Sequence, residues 1–464
     1  MKAALIYPYT KGGPPGCYPP ISILYLASAI QQAGEDVMVI DIDDGYISIR
    51  EILEKLDEYK PHFVGIPMFS NHLATAYDLV NLIRSAQPDC KIVLGGPHAT
   101  VRPEQVLETF SGCDYVLRGE SEGSIVELLK SMTNGSSLES IRGLSYRKDG
   151  EILHNPDVVL NTDLDTIAFP ARELLADAYK KNTYWRMGYR GAADVIITSR
   201  GCPSACNFCF KVAKRFRVRL PENIVEELEY IKSQGISNVH IMDDLFVYEK
   251  ERCLKILDLI KKRKLNMKFK VRARVDTIDK ELLLALKDAG VIGVVFGIES
   301  GSQKILDAMN KRTTVEMNYQ AIALTKKVGL QCHTDVFIGY PPETPETIKE
   351  TEKLILQAKP TSLGIGVLYP LPGTKIYKQA KEQGTLRNDW DIKDPRVWIK
   401  LPWIENVKTL DDYENKIRKK HLCIPSVCFN AIRFALVGIN FQRFKRLAKY
   451  FIQSTFLYRK MVNH

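Results

Sequence analysis

Acidic residues are missing from the last fifty positions of this 464-residue chain: Asn415 to His464 holds eleven Lys or Arg and no Asp or Glu. The formal net charge of +10 therefore belongs to the tail, since removing those eleven leaves 54 basic against 55 acidic residues. This speaks against a nucleic-acid protein, which spreads positive surface over the fold that grips the phosphates. A secretory leader is also missing. Met1 to Tyr7 passes straight into a strand-like run, so the chain reads as cytoplasmic. Without a leader, ten cysteines read as thiols or metal ligands rather than disulfides. There is no solenoid-type repeat and no low-complexity segment. At 45% apolar and 26% charged residues, disordered, collagen-like and small disulfide-stapled classes are excluded. The length allows roughly two to four domains.

Two series of alternating strand and helix patterns follow. Strand-like runs at 3–7, 37–41, 63–66, 91–95 and 114–118 alternate with amphipathic helical stretches and predict an open, parallel, doubly wound sheet over 1–140. Asp149-Gly150 between β-like flanks predicts a hairpin, placed with a linker in 141–190. A second series, with strand-like runs from 195–198 to 363–368, predicts a partial (β/α)6 barrel over 191–390. Both architectures place function at the carboxyl ends of their strands. A small helical extension occupies 391–464.

Arg200-Gly201-Cys202-Pro203-Ser204-Ala205-Cys206-Asn207-Phe208-Cys209 follows the first strand of the second series. Thiolates at C-x3-C-x2-C spacing suit iron–sulfur clusters or zinc. A structural zinc wants four ligands, and no fourth Cys or His follows nearby. The alternatives are three unrelated cysteines, or a zinc completed by a distant residue.

With Phe208 beside the third cysteine, this loop resembles that of the radical S-adenosylmethionine superfamily. The resemblance implies a 4Fe-4S cluster on Cys202, Cys206 and Cys209, whose open iron takes the amino and carboxylate groups of S-adenosylmethionine. It also implies a 5′-deoxyadenosyl radical on one-electron reduction, with a reductant such as flavodoxin or ferredoxin. Further motifs follow in the family's order. Asp243 or Asp244, where many members carry Gly-Gly-Glu, would meet the ammonium. Arg274 would meet the carboxylate, with a structural ion pair as the alternative. Glu299, in Phe296-Gly297-Ile298-Glu299-Ser300-Gly301, would bind the ribose hydroxyls, with Ser300 beside it. Ile338 and Gly339 lie in the segment Val336–Thr344, which resembles the adenine-packing motif.

Pro19-Pro20-Ile21, Leu94-Gly95-Gly96-Pro97-His98 and Leu117-Arg118-Gly119-Glu120 resemble the cobalamin-binding domain of the cobalamin-dependent subfamily. Gly95 and Gly96 would let the cofactor's tail approach the backbone. Ser70 could hydrogen-bond that tail, and Pro97, His98, Gly119 and Glu120 join the candidate contacts. An Asp-x-His-x-x-Gly motif is absent, so no histidine of that kind is expected on the cobalt. A domain that has lost its ligand is the alternative. The resemblance implies methyl transfer to an unactivated carbon, with cyclisation or rearrangement as the alternative and a non-catalytic cobalamin/cluster sensor as a further one.

Beyond about residue 401 the resemblance fades. A helix from near Asn440 would gather Phe441, Phe444, Leu447 and Phe451 opposite Arg443, Lys445, Arg446 and Lys449. Such a helix is a candidate for peripheral membrane contact over 440–460, or for packing on the barrel. Membrane contact would favour a lipid-like over another small-molecule substrate.

Overall fold

The structure, a computed structural model, describes residues 1–9, 18–42, 47–180, 184, 191–213, 215–392 and 396–427. The expected basic helix near 440–460 lies outside these residues. Among them, no helix is long and apolar enough to cross a membrane.

The first series folds as expected. Strands β1 (Lys2–Tyr7), β2 (Asp36–Asp41), β3 (Phe63–Pro67), β4 (Lys91–Gly95) and β5 (Tyr115–Leu117) pair in parallel, in the order β2-β1-β3-β4-β5. Their near-continuous apolar runs suit strands covered on both faces, and all of Phe63–Pro67 is buried. β6 (Leu144–Lys148) and β7 (Glu151–His154) form the predicted hairpin, with Asp149 and Gly150 at φ 52° and 84°. Two positive φ values in a two-residue turn match the twist of an antiparallel pair. The hairpin joins the first sheet, because β6 pairs antiparallel with β5 and the sheet therefore runs on to His154.

Six parallel strands make the second sheet: β8 (Ala193–Ile196), β11 (Asn238–Ile241), β12 (Lys268–Ala273), β13 (Val291–Glu299), β14 (Gln331–Ile338) and β15 (Ser362–Val367). They pair in sequence order, and β8 and β15 remain the two edges of a half-barrel. Two short ribbons interrupt the series: β9 (Ser199–Arg200) with β10 (Arg217–Val218), and β16 (Leu386–Arg387) with β17 (Trp398–Ile399). The helix Lys408–Leu422 packs on β15, where Arg418 donates to the Ile365 carbonyl at 2.6 Å.

One apolar core runs through both sheets, joining Leu5, Ile23, Leu24 and Phe63 to Val195, Ile241, Phe269 and Phe296. At the root of β8 the core holds charge instead. Arg172 bonds Asp194 and lies 2.7 Å from Glu227, while Arg219 takes the other Glu227 oxygen. Tyr179 donates to Asp194 at 2.7 Å. Asp194 and Glu227 are fully buried, so losing the Arg172 charge takes the cation from Asp194 and leaves Glu227 with Arg219 alone. Arg172→Met should cost on the order of 3–5 kcal/mol. The expected readout is a lowered urea midpoint for unfolding.

Candidate active site

The cysteine loop is a closed excursion rather than a free loop. Its two roots pair across the β9/β10 ribbon, Arg200 opposite Arg217 and Ser199 opposite Val218. Gly201 has φ +86°, and a Cβ there would sit 2.4 Å from the Arg215 carbonyl oxygen, so a side chain does not fit. Further along, the Asn207 amide donates to the Met309 carbonyl at 2.9 Å and its side-chain nitrogen to the Ala308 carbonyl at 2.9 Å. Asn310 donates to the Ala205 carbonyl and Lys211 to the Cys202 carbonyl, both at 2.7 Å. The Phe208 ring meets Phe337 edge-on at 4.8 Å.

These contacts hold the loop's backbone, and the thiols of Cys202, Cys206 and Cys209 form no disulfide, that of Cys209 lying 3.7 Å from the Phe210 carbonyl. Burial pushes the Cys209 thiol up to about 11, and the neighbouring Asp244, Cys206 and Cys202 push in the same direction. The three thiols thus lie within electrostatic reach of one another and of Asp244. Among the described residues no three ligating side chains converge tightly enough to hold a single metal ion. Three thiolates are the donor set of an iron–sulfur cluster that leaves one iron open, and the loop supplies them.

The two aspartates after β11 separate sharply. Asp243 is buried and fully engaged: one oxygen accepts from the Thr198 amide at 2.6 Å, the other from the Thr198 and Ser199 hydroxyls. It anchors the approach to the cysteine loop, and its expected part in ligand binding is corrected. Asp244 remains open at the mouth. Desolvation raises its carboxyl, while Arg272 and Lys211 draw it back down.

Other expected site residues are also spent within the fold. Arg274 grips both oxygens of Asp276 at 2.9 Å and donates to the Lys311 carbonyl, the ion-pair alternative, although it borders Cys206 and Cys202. Glu299 sits at φ 59° and pairs with Lys311 at 2.7 Å. A Cβ on Gly297 would meet the Glu299 carboxylate at 2.4 Å, so glycine makes room for that bend. Ser300 is fully buried, bonds Thr351 at 3.1 Å and accepts from the Ser302 amide, which corrects its expected ligand role. The Ile338 side chain is likewise core. Gly339, at φ 93°, donates its amide to Glu343. Sequence reasoning passed over the Glu343 carboxyl, which burial pushes up to about 8.

In the first domain, Ser70 and His98 are buried and bonded to each other at 2.9 Å. The His98 ring lies 6.0 Å from Trp390, and its Nε2 is buried without a partner among the described residues. Burial draws the His98 imidazole down to about 4, so it is neutral at neutral pH. Pro97 opens the short helix Gly96–Val101. Gly95 and Gly96 serve a different approach from the one expected. A Cβ on Gly96 would meet Met68 backbone at 3.0 Å, and one on Gly95 the Leu117 carbonyl at 3.4 Å, so the close neighbours are other strands. Gly119, at φ +80°, packs against Val158 and donates its amide to Thr100 at 3.0 Å.

Glu120 is the largest correction. Its carboxylate bridges Arg200, at 3.0 Å, and Arg217, the two residues that face each other at the roots of the cysteine loop. Glu122 adds a second bond to Arg200 at 2.6 Å. A Cβ on Gly373 would lie between Val101 and Phe210. The carboxyl ends of the two sheets therefore meet around the cysteine loop, where ligands of both architectures bind. A hint of this was available in the sequence, since Glu120 and Glu122 stand just past a predicted strand and Arg200 just past another.

Comparison with known proteins agrees with this layout. The Radical SAM superfamily matches residues 196–355 and the B12 binding domain matches residues 12–129. An uncharacterized methyltransferase of Pyrococcus horikoshii is 31% identical over 391 residues, covering 82% of this chain and 83% of its own. The anaerobic magnesium-protoporphyrin IX monomethyl ester cyclase of Cereibacter sphaeroides is 29% identical over 397 residues, covering 82% of this chain and 64% of the cyclase. The radical S-adenosylmethionine methyltransferase TsrM from Kitasatospora setae, solved with cobalamin and a 4Fe-4S cluster, shares the fold. Its TM-score is 0.69 at 21% identity, over 82% of this chain and 75% of TsrM.

Two outcomes are expected. Replacing any one of Cys202, Cys206 and Cys209 by Ala should abolish the visible absorbance and stoichiometric iron and sulfide of the reconstituted protein. Glu120→Ala should weaken docking of the ribbon on the first domain by about 1–3 kcal/mol, read as faster proteolysis within 201–216. Burial alone would raise the Glu120 pKa, but the Arg217 hydrogen bond and both arginine charges bring it below its ordinary 4.5. A depressed folded pKa means full stabilisation above the ordinary value and loss as pH falls through the lower one. Wild-type protection should therefore hold at neutral pH and fail only in acid below about 4.5.

Proposed function

The chain belongs to the radical S-adenosylmethionine enzymes that carry a B12 binding domain, and on that premise we propose that it methylates an unactivated carbon of a small molecule. The reading is supported above all by the position of the three-thiol loop, held at the carboxyl ends of both sheets by Glu120. When bound, the cluster supplies the electron that cleaves S-adenosylmethionine, and cobalamin carries the methyl group.

This chain's residues bind, orient and exclude water. Cys202, Cys206 and Cys209 hold the cluster. Asp244, left open beside the loop, receives the ammonium of S-adenosylmethionine, and Phe208 shields the loop on the side of Phe337. Arg274 supplies positive charge next to Cys202 and Cys206. Glu299, held by Lys311 through one oxygen, would offer the other to the ribose hydroxyls. The Ser70–His98 pair, with its unpartnered Nε2, fits a polar group of the cobalamin tail. A one-electron reductant such as flavodoxin or ferredoxin is the required partner.

The cyclase relative favours a second reading, in which the same radical chemistry closes or rearranges the substrate. Reconstituted enzyme given S-adenosylmethionine labelled in its methyl group, a reductant and an extract of small molecules distinguishes the two. Label in an extracted product is expected. Formation of 5′-deoxyadenosine without label transfer would favour cyclisation, and absence of 5′-deoxyadenosine despite a full cluster would reject both.

A further inference from the structure

Below the cysteine loop, three strands of the half-barrel present a polar inner face. Along β11, β12 and β14 the residues facing the helices are apolar or small, while His240, Lys270, Arg272, His333 and Asp335 share the opposite face. Strand register stacks them in layers, with His240 beside Lys270, and Arg272 level with Val295, His333 and Ser362. Arg274, bordering Cys202 and Cys206, stands two residues nearer the mouth than Arg272. At about 3.3 Å per residue, Arg272 lies roughly 7 Å along the chain from Arg274, and Lys270 about twice as far.

This floor carries polar groups whose bonding is incomplete. His240 is 3% exposed, and neither ring nitrogen has a hydrogen-bond partner among the described residues. The buried Arg272 Nε has none there either. Unsatisfied buried polar atoms of this kind are costly and call for a ligand or ordered water. The field at His240 is positive: burial first, then Arg272, Lys270 and His333, draw its pKa down to about 3. The ring is therefore neutral and offers one N–H donor. Among the described residues, the carboxylates beside this floor, Asp335 and Asp244, lie towards the mouth. Asp335 holds His333 Nε2 at 2.9 Å, and Asp244 sits beside Arg272 and Lys211.

The inner face of β15 carries glycine. A Cβ on Gly364 would strike Asp335 at 2.1 Å, so glycine admits the His333–Asp335 pair, and a Cβ on Gly366 would meet nothing within 4 Å. Tyr18, from the first domain, closes the floor with its ring 5.6 Å from His240.

We propose that His240, Lys270, Arg272 and His333 form a subsite for an oxyanion, a carboxylate or phosphate carried by the substrate. This rests on the reading of the barrel mouth as the place of the cluster and S-adenosylmethionine. Anchored by its charged end on the floor, the substrate directs its other end at the mouth, where the reacting carbon has to be held. The substrate is then a small molecule with an anionic group, and charge selects it before chemistry begins.

The test uses reconstituted holoenzyme with saturating S-adenosylmethionine, titrated calorimetrically with inorganic phosphate and, separately, acetate. Binding of at least one is expected, with phosphate preference assigning a phosphate and acetate preference a carboxylate. Lys270→Met should weaken it about tenfold or more, the loss of one charge-assisted contact. His240→Phe, which keeps the volume, should weaken it as well and serves if Lys270→Met does not fold. Unchanged iron, cobalt and S-adenosylmethionine retention shows that a variant is intact. Absence of binding of either anion to wild type, or equal binding by an intact variant, would overturn the proposal. So would exclusion of the anion by S-adenosylmethionine, since the floor would then serve that cofactor's own carboxylate. Failure of the radical reading would show separately, as absent 5′-deoxyadenosine with anion binding intact.

Discussion

Two arginines face each other at the foot of the cysteine loop, and a carboxylate from another domain lies between them. Arg200 and Arg217 are direct partners in the β9/β10 ribbon, an arrangement that like charges oppose. Glu120 reverses the sign of that interaction by accepting from both. The ribbon closes the loop, and the loop presents the thiols. The geometry of the three cysteines thus depends on the first domain being docked, and the crevice at the end of β5 is placed against the loop by the same carboxylate. One charge triad holds in register the two sites that the chemistry needs close together.

Beneath that triad the support is also electrostatic. Arg219 joins the Glu227 carboxylate and donates to the Ile197 carbonyl at 2.9 Å. Arg252 donates to the Thr198 carbonyl at 2.6 Å, and Asp243 takes the Thr198 amide and hydroxyl from the other side. The short segment from β8 to the loop is therefore held by charged side chains from several elements. A strand end that must leave its sheet loses its ladder partners, and each exposed backbone group then needs a side chain to satisfy it. Polar residues concentrated here hold an irregular backbone in one conformation, whereas the apolar core would leave those groups unpaired.

Local patterns made the elements and the cysteine loop legible in the sequence. Strand and helix periodicity identified both series, Asp149-Gly150 identified the hairpin, and thiol spacing identified the loop. Side-chain direction was not legible. Asp243 and Asp244 are adjacent just beyond β11, where one turns into the protein and the other stays at the mouth, and no periodicity rule applies past the last ladder residue. Glu120 was assigned to a ligand because its partners lie 80 and 97 positions away. Gly95 and Gly96 announced a close approach correctly, but a glycine signals only that something is near, and here it is neighbouring backbone. Ser300 looked like a ligand group because polar residues at strand ends often are. Its hydroxyl instead closes a local turn against Thr351.

The charge imbalance of the C-terminal region acquires a structural meaning where the chain is described. Lys416, Arg418, Lys419 and Lys420 lie in the helix Lys408–Leu422, whose Leu410 and Ile417 are buried against the barrel. Arg418 pairs with Glu414 and donates to a carbonyl of β15, and Lys420 pairs with Glu352. His421 reaches the Pro360 carbonyl at 3.1 Å. β15 is an edge of the half-barrel, and an edge strand exposes backbone groups that need a partner. A cationic helix suits that position, because guanidinium donors satisfy outward carbonyls while the lysine heads remain in water. The same helix contributes Leu410, which packs where a Cβ on Gly339 would stand, next to the amide bound by Glu343. Charge that would read as a binding surface in a composition table is used, in this stretch, to cover the edge of the barrel and to brace the loop after β14.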